Sequence, residues 1–286
     1  MKPILKKTFK ILAYILLAPI VLYLVVYAIL AVFIHPSMER DWSPDQAVLA
    51  TAIFEEGDKV LVKNIRNINY RTTTDYDVSY YDKEFDLSKI DSVWFMVEPF
   101  KGHGAGAAHT LISFGFENGN HVAVSAEIRK EKGESFGVVK GLLRQYELVY
   151  VIADERDVIK LRSNYRGDDV YLYKTNVGKE KARELFVSML TRANKLQRDP
   201  EFYNTITNTC TTNIVSHVNE LVPGKVPFSF KVLMPAYSDE LAYNLGLIGN
   251  GESLEALREK YKINREALLY ADDPDFSNKI REGREE

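Results

Sequence analysis

Cys210 is the single cysteine of the 286-residue chain. In an exported protein, which the N-terminal run described below predicts, it cannot be half of an intramolecular disulfide. It is then either a buried small hydrophobe or a thiol kept for its reactivity. Its context predicts the second. Thr207, Asn208 and Thr209 are N-cap residue types, and Ile214, Val215, Val218 and Leu221 fall on one face of a helix over 210–221. The thiol then sits in the first turn, where unpaired N–H groups and the helix dipole favour a thiolate. The same N–H groups can hold the oxyanion of a tetrahedral intermediate.

A cysteine nucleophile needs a base, and the chain has five histidines. His35 lies at the boundary of the apolar N-terminus. His103 lies inside a glycine-rich loop, as a substrate contact or an exposed residue. His217 follows Cys210 by two helical turns, about 10 Å, too far for direct proton transfer. His121 adjoins a turn and reads as exposed. His109 closes the glycine loop and opens a strand, so its side chain projects at a strand end toward a helix N-terminus. It is the candidate base; the alternative is a structural histidine bonded to backbone.

A third group should hold the imidazole. Asn118-Gly119 between alternating segments signals a hairpin. Centring that turn on Asn118 places Glu127 opposite His109. Val122, Val124, Ala126 and Ile128 then share the apolar face, and His121, Ser125 and Glu127 the other. A one-residue slip would reverse the faces, and an ion pair from Arg129 or Arg144 would make Glu127 structural instead. No metal or cofactor is implied: there is no HExxH and no cysteine pair. The loop 101–109 (KGHGAGAAH) lacks a Gly-Lys-Ser/Thr ending and leads into a strand, so it is no phosphate loop. Its glycines allow close backbone approach to a substrate. Gly104 and Gly106 are therefore candidate substrate contacts, with Thr209 and Thr211 beside the nucleophile.

The elements that must position these residues are strand-rich at first. Strand-like runs cover 60–71, 77–87, 92–100, 110–116, 121–130 and 170–175. The segment 138–164 reads as a helical turn, a strand and a helix. Leu185, Phe186, Met189 and Leu190 have the spacing of a half-buried helix over 178–196. Residues 251–286 form a charged helical extension ending in a solvated REGREE tail. No repeat or second domain boundary is visible, and the fold class is α+β.

Residues 11–34 contain no charged side chain. As a helix they span about 36 Å, enough to cross a hydrocarbon core of about 30 Å. Residues 1–10 hold Lys2, Lys6, Lys7 and Lys10, which contribute +4 to a formal net charge of −3 and leave −7 for residues 35–286. The asymmetry fits a single-pass anchor in the inner (cytoplasmic) membrane, its N-terminus in the cytoplasm and its globular part in the periplasm. A cleaved signal peptide fits less well, because signal h-regions are shorter. Residues 35–58 read as a juxtamembrane linker and 59–250 as the globular domain. A freely soluble cytoplasmic protein, a polytopic transporter and a disulfide scaffold are excluded, and the acidic charge argues against nucleic-acid binding.

Four segments carry a family resemblance: AHTLISFGFENG (108–119), SAEIRKEKGESF (125–136), GLLRQYELVYVIADERDVIKLRSNYR (141–166) and FYNTITNTCTTNIVSHVN (202–219). They resemble the periplasmic N-terminal domain of Lnb-type lipoprotein N-acyltransferases. A strand-borne His before a helix-borne Cys is also similar to the circularly permuted NlpC/P60 (papain-like) fold, which lecithin:retinol acyltransferase shares. The resemblance implies an antiparallel sheet with packed helices, thiol chemistry at Cys210 and His109 as its base. It also implies acyl transfer within a diacylglyceryl lipoprotein, from glycerol to the N-terminal amine. The chain departs from the pattern in having one apolar span where Lnb-type enzymes carry more membrane-embedded sequence. The expectation is a membrane-anchored thiol acyltransferase or acyl hydrolase acting on lipoprotein or lipid esters. The alternatives are an NlpC/P60-like cell-wall amidase or peptidase, and a non-catalytic envelope binding or assembly protein.

Overall fold

The computed structural model describes residues 3–284 apart from 103 and 105; His103, a candidate substrate contact, and the last two residues of the tail lie outside them. The apolar N-terminal run forms one helix, α1 (Pro3–Phe33). Its segment Lys10–Phe33 is long and apolar enough to cross a membrane.

The strands β1 (Thr51–Phe54) and β2 (Lys59–Arg66) pair antiparallel. Thr51–Phe54 thus belongs to the sheet, although it falls in the stretch read as a linker. A small ribbon of β3 (Asn69–Tyr70) and β4 (Tyr76–Asp77) precedes β5 (Tyr80–Asp86), which returns onto β2. The meander β6 (Ile90–Pro99), β7 (Ala108–Phe116), β8 (His121–Arg129) and β9 (Glu147–Ala153) is antiparallel, with α2 (Val138–Leu142) between its last two strands. Strand β2 joins this meander by a parallel contact of Arg66 with Ala153. After α3 (Glu155–Lys160) and a π-helical turn over Leu161–Arg166, β10 (Tyr171–Lys174) adds to β6 at the far edge.

Two layers cover the sheet, and alternation along the strands decides which side chain meets which. On one face lie α4 (Lys179–Arg198) and α5 (Cys210–Leu221). Phe186 of α4 packs against Phe114 at 4.7 Å, and Tyr150 donates to Asn213 of α5 at 3.1 Å. Beside α5 on that same face pack α6 (Phe230–Leu233) and α7 (Ser238–Asn244). The other face receives α3, the π turn and the C-terminal helices α8 (Leu254–Tyr261), α9 (Asn264–Leu269) and α10 (Phe276–Lys279).

The predicted hairpin register holds: Ile112 faces Val124 and Phe114 faces Val122. The second face of β8, however, is buried and polar, because the C-terminal segment covers it. His121, read as exposed, is half-buried with Nδ1 on the Gly119 carbonyl at 3.1 Å. Arg281, read as part of a solvated tail, is fully buried. Its guanidinium pairs with the equally buried Glu155 at 2.5 Å. A buried carboxylate needs such a partner, and the C-terminus supplies it.

Candidate active site

Of the N-cap residue types Thr207, Asn208 and Thr209, it is Thr209 that caps α5, and it does so in a capping box with Thr212. Thr212 N–H donates to Thr209 Oγ1 at 3.2 Å, and Thr209 N–H donates back to Thr212 Oγ1 at 2.7 Å. Asn213 ties the turn to Asn208 and to the Thr209 carbonyl. Cys210 is thereby the first residue of the helix, among backbone N–H groups that have no intrahelical acceptor. Thr211 pins the same turn to β7 through Thr110, at 3.1 Å.

His109 stands near the start of β7, directly across from Glu98 of β6. Its Nε2 lies 2.7 Å from Ser125 Oγ, and Ser125 donates to Glu127 Oε1 at 2.9 Å. The direct distance from Nε2 to Glu127 is 3.6 Å, so Ser125 mediates the link expected to be direct. A hydroxyl has one proton to give. Since Ser125 gives it to Glu127, it must accept from His109 Nε2–H, which leaves the imidazole lone pair on Nδ1.

The cation facing Glu127 is neither Arg129 nor Arg144. Arg129 donates to the carbonyls of Gln46 and Ala47 and lies 4.1 Å from the Trp42 ring. Arg144 donates to the Ile34 carbonyl. The partner is Arg162, from the π turn, at 2.9 Å. Its other side meets Glu98 at 2.7 Å, and Arg166 reaches Glu98 from the next turn at 3.3 Å. Arg162 and Arg166 stand four residues apart, a spacing that sets both on one side of the turn and brings both guanidiniums to Glu98.

These charges fix the protonation of the cluster. Burial, with Arg162 adding to it and Glu127 opposing, pushes His109 down to about 3. Burial raises Glu98 to about 7 against the pull of Arg162 and Arg166. Burial also disfavours the Glu127 charge, yet Arg162, with His109 and Arg66, holds that carboxyl well below the usual range. At neutral pH the resting pair is therefore a neutral imidazole and an ionised Glu127.

Cys210 reaches this cluster through a gap in the sheet. Strands β7 and β8 are paired only from Ile112–Val124 to Gly115–His121, and their other ends diverge. Alternation sets Thr110 toward α5 and His109 toward the opposite face. A cavity of about 470 Å³ lies there, lined by Cys210, Phe136 and Tyr203 together with His109, Glu127 and Arg162. The thiol and the imidazole thus share one space.

Each of the remaining candidates makes contacts within the fold. Thr209 is the cap and Thr211 a buried tie to β7. Gly106 has φ +98° and its carbonyl accepts from Ala236 N–H. A Cβ there would meet Met234 Cε at 2.6 Å, so its close approach is to the fold. Gly104 accepts from Ala107 N–H and is absent from the cavity wall. His217, set aside on distance, bonds Tyr150 at 2.8 Å and Ser188 at 2.7 Å. Among the described residues no group of acidic, His and Cys side chains is arranged to hold a metal.

A stability prediction follows from these protonation states. His109 is lowered to about 3, and burial lowers His121 and His217 to about 4. Below about 6.5 the unfolded chain takes up three protons that the fold refuses, so acidification destabilises. Burial raises Glu98 and Glu147, and their contribution runs the other way, present at low pH and lost as pH rises through their folded values. Below about 4.5 that opposition ends, while Glu127 and Glu155, both held low, join the histidines. Chemical denaturation of the detergent-solubilised chain should show stability falling from about pH 6.5 and more steeply below about 4.5; a stability maximum near pH 4 would contradict these assignments.

Residues 76–236 match the model of the Lnb N-terminal periplasmic domain. No curated protein and no solved structure gave a match.

Proposed function

The chain belongs to the Lnb N-terminal periplasmic domain family, and from that premise we propose that it is a membrane-anchored thiol acyltransferase or acyl hydrolase acting on lipoprotein or phospholipid esters. The reading rests on one observation: Cys210, at a capped helix N-terminus, shares a cavity with a neutral, Ser125-anchored His109. In the proposed mechanism Cys210 Sγ attacks an ester carbonyl while His109 Nδ1 takes the thiol proton. Backbone N–H groups in the first turn of α5 receive the oxyanion. Collapse of the intermediate breaks the C–O bond, and the imidazolium returns its proton to the departing alkoxide. An amine or water then attacks the thioester, giving a proton to His109. The C–S bond breaks, the acyl group leaves on the nitrogen or oxygen, and the imidazolium returns the proton to Cys210 Sγ. Glu127, through Ser125, steadies the transient imidazolium, as the carboxylate of a catalytic triad does.

Strand-borne His109 preceding helix-borne Cys210 supports the permuted papain-like arrangement as the framework. The α1 span supports an anchor in the inner membrane with the domain in the periplasm, which would keep the cavity near lipid esters. The substrate test is direct. The full chain in phosphatidylglycerol vesicles is supplied with a synthetic diacylglyceryl lipopeptide and, separately, with muropeptides. Loss of one glycerol ester from the lipopeptide or phospholipid, its acyl chain recovered as an amide or as free acid, supports the proposal. Cleaved muropeptides with intact lipids would transfer the same residues to amidase chemistry.

Ser125 has a role in this scheme that its position two residues before Glu127 only hints at. Ser125→Ala should lower kcat by about 10- to 100-fold with little change in KM, because it loosens the imidazole and not the substrate. The pH–rate profile should move as well, since Glu127 no longer reaches Nε2 through a hydroxyl. An unchanged profile would make Ser125 a packing residue.

A further inference from the structure

The anchor and the domain are fastened to each other well inside the apolar span. Tyr23 Oη donates to the Leu142 carbonyl at the end of α2, at 3.3 Å. Arg144 Nη1 donates to Tyr27 Oη at 3.4 Å, and its other nitrogens reach the Ile34 carbonyl at 3.2 Å. Tyr23 lies ten residues before Phe33, so about 15 Å of helix separates it from the end of α1. Fitting a hydrocarbon core of about 30 Å onto Lys10–Phe33, upright or tilted, leaves Tyr23 about 13 Å below its domain-side boundary. The end of α2 is bonded at that depth.

The surface around α2 suits such an environment. Val138 and Val139 are 56% and 66% exposed, and Phe136 and Ile206 48% and 49%. These four are brought side by side because Thr205 donates from Oγ1 to the Val138 carbonyl and from N–H to the Gly141 carbonyl. Two polar groups that would suffer in hydrocarbon are satisfied internally: the terminal carbonyl of α2 by Tyr23, and the Arg144 guanidinium by Tyr27 and the main chain at the helix exit. Lys140, exposed on α2, must lead its ammonium out to the interface. Arg144 lies along the Phe202 ring, 4.6 Å away, and extends toward Ile34. That is the course of a cationic side chain leading its charge out to the interface.

We propose that α2 and the adjoining 205–206 turn form a lipid-contact lip that enters the domain-side leaflet beside α1. Its occupant is the bilayer, continuous with the lipid around the anchor. Phe136 belongs both to this lip and to the wall of the cavity that holds Cys210 and His109. The cavity mouth therefore opens beside the lip, between it and the membrane boundary where glycerol esters sit, and a lipid would reach it laterally without leaving the membrane. The placement itself stands on the anchor contacts and needs no assumption about the thiol.

The test uses the full chain in the Cys210→Ala background, so that one new cysteine can carry an environment-sensitive fluorophore. Val139→Cys and Ile206→Cys sample the lip, and Glu259→Cys on exposed α8 is the control. Each labelled protein is reconstituted in phosphatidylcholine–phosphatidylglycerol vesicles with or without a spin-labelled phosphatidylcholine quencher. The lip positions should show blue-shifted emission and lose about half or more of it to the quencher, with position 259 unaffected. Quenching at 139 and 206 no greater than at 259 would overturn the proposal. Because the labelled proteins lack the nucleophile, this outcome is independent of whether Cys210 forms an acyl-enzyme.

Discussion

Cys210→Ala is expected to abolish ester turnover, by at least about a thousandfold, while leaving the fold intact. The size of the effect comes from the mechanism: without the sulfur there is no acyl-enzyme, and the cavity and N–H groups alone retain only a residual rate. The small structural cost comes from the site. Cys210 is a small, buried side chain whose nearest polar contact is Thr211 Oγ1 at 3.7 Å. The α5 N-terminus is held by Thr209, Thr212 and Asn213, none of which is touched. Loss of one sulfur from a core site should cost about 1 kcal/mol or less. Turnover and denaturation midpoint, measured on the same preparation, separate the two readings of this residue. A packing cysteine would show the opposite pattern, with stability lost and activity unchanged.

The largest stability effect should come from Arg162→Ala. Arg162 is buried between Glu98 and Glu127, and its guanidinium is the cation they share. Removing one member of a buried ion network costs about 3–5 kcal/mol, because the partner charges stay behind in a low-dielectric site. Glu98, already raised to about 7 by burial, can take a proton and escape part of the cost. Glu127 is left exposed to it. Addition of Glu127→Gln to Arg162→Ala should therefore recover part of the loss. A change below about 1 kcal/mol on Arg162→Ala would show that the network contributes little. Activity should fall with it, since Arg162 fixes the carboxylate that reaches His109 through Ser125.

The hairpin and the helix at Cys210 were legible because local rules govern them. Asn118-Gly119 sets the turn, the turn sets the register, and the register sets Glu127 near His109. Thr209 and the spacing of Ile214, Val215, Val218 and Leu221 mark the start and face of α5. Distant partners were hidden. Nothing near Arg162 in sequence announces that a π turn will carry it to Glu98 and Glu127, thirty-five or more residues away. Arg129 and Arg144 are nearer to Glu127 in sequence, but a short separation along the chain does not predict which cation crosses a layer. Arg281 was missed for the same reason, since a run of charges at a chain end resembles a solvated tail until Glu155 is seen beneath it. Ser125 falls on the same face of β8 as Glu127, but spacing alone does not show that the link from carboxylate to imidazole runs through its hydroxyl.

The gap between β7 and β8 was the least predictable feature and bears most on function. Alternation alone puts His109 and the α5 N-terminus on opposite faces of a sheet, and only the divergence of the strands lets one cavity reach both. The central claim is that Cys210 attacks with His109 as its base. Mass spectrometry of the full chain, quenched at short times after mixing with an activated acyl ester, tests it most directly. The account predicts one acyl chain per protein, on Cys210 and removable by hydroxylamine. It also predicts that His109→Ala forms this adduct at least about a hundredfold more slowly. An acyl chain on another residue, no adduct at all, or equal rates with and without His109 would contradict it.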